Sequence, residues 1–278
     1  MNEWGYPGKG TRRGSSAYYS IRFAPAALRD DLARLVGWRH EIRAIPDTVS
    51  DVGVACAKLE WWRGELDRTL AGAPQHPLSQ GLQPVLARHG LPDGPFQAML
   101  ARVDAEIRRR EPPDRDALEA AEEGDLGALF ELLARCHGIA DAIRLADARC
   151  LGGFCGQVER LRDVGRLVRA ARPVFPRDQL SAADLPPGPL GAPSQRRRLS
   201  PLLAESAQAA RRYRARIKVE HLPVCLRVRG RLAERLLEEL DAADFDVTEA
   251  HLSLTPLNKL WHAWRESRRV AGHAVPSQ

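Results

Sequence analysis

Long apolar runs are absent from this sequence. Nowhere do roughly 18 apolar residues follow one another, so no segment reads as a membrane-spanning helix. The opening Met1–Arg13 is polar and glycine-rich and lacks the apolar core of a secretory signal, so it reads as a mobile tail. Paired cysteines are missing too. Five cysteines, at 56, 136, 150, 155 and 225, are scattered with no CxxC spacing, which argues against a zinc site and for reduced, mostly buried thiols in a cytoplasmic protein. Aromatic residues make up only 6% of the chain, and the alternation of β-branched residues that marks strands hardly occurs. Lysine is the scarcest of the common charges: Lys9, Lys58, Lys218 and Lys259 are the only lysines among 42 basic residues.

Arginine therefore carries almost all the positive charge. Guanidinium forks pair bidentately with phosphate oxygens, so the bias points to nucleic acid or phosphate as a partner. Thirty-six acidic residues are interleaved with the arginines and leave a net charge of only +6. Many pairs stand at helical spacing: Glu60 and Arg63, Glu65 and Arg68, Glu234 and Glu238 around Arg235. Solvated helix faces account for most of the surplus. The charged fraction of 28% and apolar fraction of 44% are those of a folded chain, and 278 residues can bury roughly three quarters of their unfolded surface.

The apolar periodicity is helical almost throughout. Leu28, Leu32, Leu35 and Val36 recur after Pro25, and a second helix spans about Val49 to Gly72. Helices about Pro77 to Arg88 and Pro95 to Arg110 flank the turn Gly90-Leu91-Pro92-Asp93-Gly94, and another runs from Pro112-Pro113-Asp114 to His137-Gly138. A long periodic stretch covers Ile139 to Ala171. Residues 173–201, rich in proline and glycine, read as one long loop with a helical turn near Arg177 to Asp184. Helices about Leu202 to Val219, Leu222 to Ala242 and Pro256 to Arg268 complete an all-α chain, with 271–278 as a tail. No linker divides the chain into two self-sufficient cores, so the reading is a single helical bundle over residues 14–270.

Three stretches carry more than periodicity. They are Trp61-Trp62-Arg63-Gly64-Glu65-Leu66 with His76-Pro77; Leu161-Arg162-Asp163-Val164-Gly165 with the run from Arg172 through Phe175-Pro176 to Leu180; and Phe245-Asp246-Val247 with Leu252-Ser253-Leu254 and Lys259-Leu260-Trp261. In this order and spacing the chain resembles the squalene/phytoene synthase family, the head-to-head branch of the isoprenoid synthases. Thirteen residues separate Arg162 from Pro176, and this register is the most specific part of the match. The segment Gly14-Ser15-Ser16-Ala17-Tyr18-Tyr19 and Gly127 also fit. The resemblance implies the all-α isoprenoid synthase fold, a bundle with a central cavity. There, Mg²⁺ would bridge the diphosphates of two isoprenyl substrates to carboxylates on facing helices.

The departures fall on those carboxylates. The family's first Asp-Asp-x-x-Asp run meets Arg43-Ala44-Ile45-Pro46-Asp47, and its second Asp-x-x-Glu-Asp run meets Asp163-Val164-Gly165-Arg166-Leu167. An asparagine of the family is Glu159 here, and a tyrosine is Ala121. Asp47, Asp163 and Glu159 are the remaining metal-ligand candidates, too few for three-metal catalysis. An arginine about 5 Å from a divalent ion costs roughly 3 kcal/mol per unit charge even at an effective dielectric near 20. Pro46 is expected to break the helix just before Asp47. Arg39 and Arg43, and Arg162 and Arg166 with Arg169 on one second helix, are candidates to hold a diphosphate directly, with Tyr18 beside them. The opposing expectation pairs these arginines internally with Asp47, Glu159 and Asp163.

Retention of the fold with altered motifs also resembles the mitochondrial complex I assembly factor of this family, especially at Asp47-Thr48-Val49-Ser50-Asp51 and Phe245-Asp246-Val247. Two functions follow as expectations. In one, the chain is catalytically silent and serves as a scaffold, assembly or prenyl-lipid-binding protein, with no cofactor and with a protein partner. In the other, it is an active prenyltransferase using Mg²⁺ to condense two isoprenyl diphosphates. The resemblance removes nucleic acid as a partner. Arg196-Arg197-Arg198 reads as a solvated loop run within reach of acidic headgroups, consistent with a cytoplasmic protein peripheral to the inner face of a membrane. His40, His137 and His262 lack partners at metal spacing and read as structural. Trp61, Trp62, Trp261 and Trp264 read as core or its rim.

Overall fold

Local chemistry starts several of the helices. Short polar side chains accept the first free backbone N–H groups: Ser15 caps α1 (Ser16–Arg22), Asp51 caps α3 (Val52–Leu70), Asp114 caps α6 (Arg115–Glu122) and Asp141 caps α8 (Ala142–Arg162). His76 caps α4 (Pro77–His89), whose Pro77 sits where no N–H is needed, and Gly90 ends it in the left-handed region at φ 56°. The computed structural model describes residues 3–185, 193–245 and 252–271, without the side chains of 193–198 and 270–271. Its other helices are α2 (Arg29–Thr48), α5 (Gly94–Ile107), α7 (Ala128–Cys136), α9 (Val164–Arg169), α10 (Arg177–Ala182), α11 (Pro193–Ala215), α12 (Val224–Ala242) and α13 (Pro256–Ala271). Among the described residues there is no strand, and no helix is long and apolar enough to cross a membrane.

The helix α8 runs through the middle and is buried along most of its length, packing on α6, α7, α11 and α12. One wide π turn, Glu123–Gly127, joins α6 to α7 and lies directly against α8. Glycine allows that approach. A Cβ on Gly152 would stand 2.5 Å from the Gly127 Cα and the Leu126 carbonyl oxygen, and one on Gly156 would stand 2.6 Å from a Glu122 carboxylate oxygen. The aromatic centre is Trp38, edge-on to Phe96 at 4.9 Å and to Trp62 at 6.4 Å.

Four expectations change here. Pro46 does not break α2; it lies in the last turn, where little helix remains to be lost, and the Val49 N–H still closes on the Ile45 carbonyl at 3.0 Å. The stretch from Ile139 to Ala171 is not one helix, because Asp163 interrupts it between α8 and α9, so Arg162 and Arg166 sit on different helices. Arg196-Arg197-Arg198 belongs to the backbone of α11 rather than to a loop. Met1–Arg13 is no free tail over its described part. Trp4 is buried against Gly37, the Tyr6 N–H donates to Asp30 at 2.9 Å, and Lys9 pairs with Glu41 at 3.1 Å. The 271–278 tail, apart from the backbone of Ala271, and the motif residues Asp246 and Val247 lie outside the described residues.

Candidate functional site

Close packing of α6, the π turn and α8, with α2 and α5 opposite, leaves a charged cavity of about 220 Å³. Its lining includes Arg39, Arg43, Arg102, Glu106, Glu122, Asp125, Glu159, Arg160, Asp163, Arg166 and Arg172, with Ala121 also on the wall. Arg39 holds Asp125 bidentately, Nε at 2.8 Å and Nη2 at 2.7 Å. Arg43 donates to Glu106 at 2.5 Å and lies 3.5 Å from Asp125. Glu106 also accepts from Arg172 at 2.9 Å and faces Arg102 at 3.4 Å. Arg160 holds Glu122 at 2.8 Å, and Arg229 of α12 donates to Glu159.

At the interruption between α8 and α9, Asp163 is gripped by Arg162 at 2.7 Å and by Arg166 at 3.1 Å. Arg166 reaches on to Asp47 at 2.7 Å, and Arg172 meets the same carboxylate at 2.6 Å. The two acids expected to face each other across the cavity are thus joined through arginine. Burial opposes the charge on Asp125, Glu106, Glu159 and Asp163, but the surrounding guanidiniums outweigh it and hold all four carboxyls below the usual range. Burial likewise opposes the charge on Arg43, and Glu106 and Asp125 more than offset it. Arg102 is the exception: burial is not fully offset by Glu122 and Glu106, and its charge is disfavoured.

Seven guanidiniums (Arg39, Arg43, Arg102, Arg160, Arg162, Arg166 and Arg172) and five carboxylates (Asp47, Glu106, Glu122, Asp125 and Asp163) thus share one ion-pair network, with the Arg229–Glu159 pair standing beside it. Two positive charges are left over. Among the described residues, no three His, Cys, Asp or Glu side chains converge closely enough to hold one metal ion. Arg39 and Arg43, together with His40 and Arg229, also wall one side of a second chamber of about 170 Å³ whose remaining lining is mostly apolar, including Ile21, Val36, Leu126, Leu129, Phe130, Leu133 and Leu226.

Of the residues read from the motifs, Arg39, Arg43, Glu159, Asp163 and Arg166 line the charged cavity, and Asp47 and Arg162 join them through ion pairs to Arg166 and Asp163. Tyr18 is not part of it; its ring stacks on Tyr6 at 5.4 Å and it lines neither cavity, because α1 turns its adjacent Ala17 and Ser20 to the chamber instead. Asp47 pairs with Arg166 and Arg172, not with Arg43 one turn before it. Glu106, Glu122, Asp125, Arg102, Arg160 and Arg229 were not singled out from sequence. Arg102 and Glu106 stand at i, i+4 and look like any surface pair there. Arg172 lay within the matched stretch but had no assigned role.

A sequence model of squalene/phytoene synthases matches residues 11–260. The chain belongs to this family. Among solved structures, it is 20% identical to squalene synthase HpnC from Alicyclobacillus acidocaldarius, with a TM-score of 0.68 over 85% of this chain and 92% of that one. A dehydrosqualene synthase crystallised with a ligand gives a TM-score of 0.73 at 16% identity, covering 93% and 92%. YisP from Bacillus subtilis gives 0.60 at 14% identity, covering 90% and 89%. These likenesses establish the isoprenoid synthase fold. No curated protein matches the chain significantly.

Proposed function

We propose that this chain is a catalytically silent squalene/phytoene synthase-like protein that holds an isoprenyl diphosphate or related prenyl lipid without metal. One observation carries the reading: every carboxylate at the charged end is already ion-paired to arginine, and two guanidinium charges remain uncompensated. The Mg²⁺ that the family implies needs free oxygen ligands in near-octahedral array. Here Asp47, Asp163 and Glu159 are each occupied by a fixed cation, and no donor group of three is available among the described residues, so the donor set does not fit Mg²⁺. The surplus positive charge suits a dianionic headgroup by charge-assisted hydrogen bonds, and the apolar chamber behind Arg39 and Arg43 suits the hydrocarbon chain. A ligand that binds only the folded chain raises its melting temperature. Thermal stabilisation by pyrophosphate or a non-hydrolysable farnesyl diphosphate analogue is therefore expected to persist in EDTA and to vanish in Arg43→Ala/Arg166→Ala. Incubation with farnesyl or geranylgeranyl diphosphate and Mg²⁺ is expected to release no diphosphate. Loss of the stabilisation in EDTA, or robust release abolished by Asp163→Ala, would establish the metal-dependent synthase instead.

A further inference from the structure

The last helix wears its amphipathicity inside out. On the side of α13 that packs against α1 and α12, Ala263 is fully buried and Glu266 is 7% exposed, receiving Arg227 at 2.7 and 3.0 Å. Lys259, on the same side, donates to the Gly14 carbonyl at 3.0 Å. These polar anchors fix the rotation of the helix. The opposite face shows Leu257 at 78% exposure, Trp261 at 55%, Trp264 at 42% and Leu260 at 38%. They stand at i, i+3, i+4 and i+7, one stripe over two helical turns. The two indoles lie 5.4 Å apart, and Arg268, one turn further on, stacks over Trp264 at 5.7 Å. Arg265 is exposed along the same arc, and the only acid of the helix, Glu266, is turned inward and paired.

A soluble surface gains nothing from presenting two tryptophans and two leucines together, since burying each would be favourable by about 1.5–3 kcal/mol. The combination of indoles, leucines and flanking arginines without a carboxylate matches the boundary of an anionic bilayer. There, Trp settles among headgroups, Leu enters the acyl boundary and Arg meets phosphate. The helices beneath α13 add a second argument. α1 and α12 supply Ala17, Ile21, Cys225 and Leu226 to the apolar chamber, so a surface docked on α13 would lie against the chamber's outer wall.

We infer that the exposed Leu257–Trp261–Trp264–Arg268 face of α13 docks the protein on an anionic lipid surface. The contact is peripheral and reversible, and it stands whether or not the cavity binds a prenyl ligand. Full-length protein is expected to co-sediment with phosphatidylcholine vesicles containing phosphatidylglycerol, with a blue shift of tryptophan emission. Trp261→Ser/Trp264→Ser should weaken binding about tenfold or more. Arg265→Gln/Arg268→Gln should do likewise and remove most of its salt dependence. Because these side chains are exposed, both variants should keep the native melting temperature. Protein that stays in the supernatant, equal binding by either variant, or equal binding to pure phosphatidylcholine would overturn the inference. So would a concentration-dependent dimer that the tryptophan variant dissolves without any vesicle binding, which would assign the face to a second copy.

Discussion

Glu106→Gln tests the charge network at its most connected point. The Glu106 carboxylate is buried and meets Arg43 at 2.5 Å, Arg172 at 2.9 Å and Arg102 at 3.4 Å. Glutamine keeps the shape but removes the anion, so three guanidiniums lose their shared counter-charge in a water-poor setting. Removing one partner of a buried ion pair typically costs about 3–5 kcal/mol, against about 0–1 kcal/mol for an exposed pair. At roughly 2–3 °C per kcal/mol for a chain of this size, the melting temperature should fall by about 6–15 °C. The assay is thermal denaturation followed by far-ultraviolet circular dichroism, with and without pyrophosphate, in EDTA throughout. The variant leaves the network with three surplus positive charges rather than two, so pyrophosphate should raise its melting temperature more than it raises that of the unaltered chain. A fall below about 2 °C would mean the network behaves as exposed pairs do. Equal or smaller stabilisation by pyrophosphate would mean the anion does not sit among these arginines.

The same carboxylates set the pH response. Asp125, Glu106, Glu159 and Asp163 are held below their unfolded values near 4, so their contribution is complete above about pH 5 and is lost as pH falls from about 4 toward their folded values. Melting temperature should therefore be level between about pH 5 and 7 with respect to these groups and drop steeply below about pH 4; a rise on acidification would contradict the ion-pair assignment. Gly152→Ala places a Cβ 2.5 Å from the Gly127 Cα and the Leu126 oxygen, so backbone must move. It should cost about 2–3 kcal/mol and weaken pyrophosphate binding as Glu122 and Asp125 shift, and an unchanged melting temperature would show that the π turn yields freely.

The fold was legible because its signals are local. Apolar spacing, the helix opening at Asp114 and the punctuation at Gly90 and Pro77 each act within one or two turns, and the Arg162-to-Pro176 register marked the family. What sequence could not supply was the identity of each helix's neighbour. Glu65, beside Arg68, looked like half of a surface pair; it is fully buried, and its carboxylate accepts the N–H groups of Gln75 and His76 at 2.8 and 2.7 Å. Trp261 and Trp264 looked like core or its rim because they are periodic, but periodicity says only that a face differs, not which way it turns. Glu106 and Asp125 lie 63 and 86 residues in sequence from the arginines they bind, Arg43 and Arg39, and an ion pair inside a cavity has the same local spacing as one in water.

If the cavity binds without reacting, as proposed, counter-charge supplies the physical reason. Carboxylates brought together out of water must be neutralised, and the means decides the chemistry. Metal ions arriving with a substrate keep free coordination positions and can draw charge from a leaving diphosphate. Guanidiniums fixed on α2, α5, α8 and α9 and after α9 are already directed at carboxylates, with Arg39 and Asp125 in a closed bidentate pair. To stabilise a departing diphosphate they would first have to leave partners that hold them in a low-dielectric pocket, which returns the cost of a buried unpaired charge. The surplus of two positive charges belongs to the network as a whole, since each guanidinium has a carboxylate partner, and its field can draw an anion without any ion pair being broken. Under the proposed function, that surplus draws a dianion to the end of the cavity whose Arg39 and Arg43 also wall the second chamber. On the proposed function, affinity without turnover would follow from where the positive charge comes from.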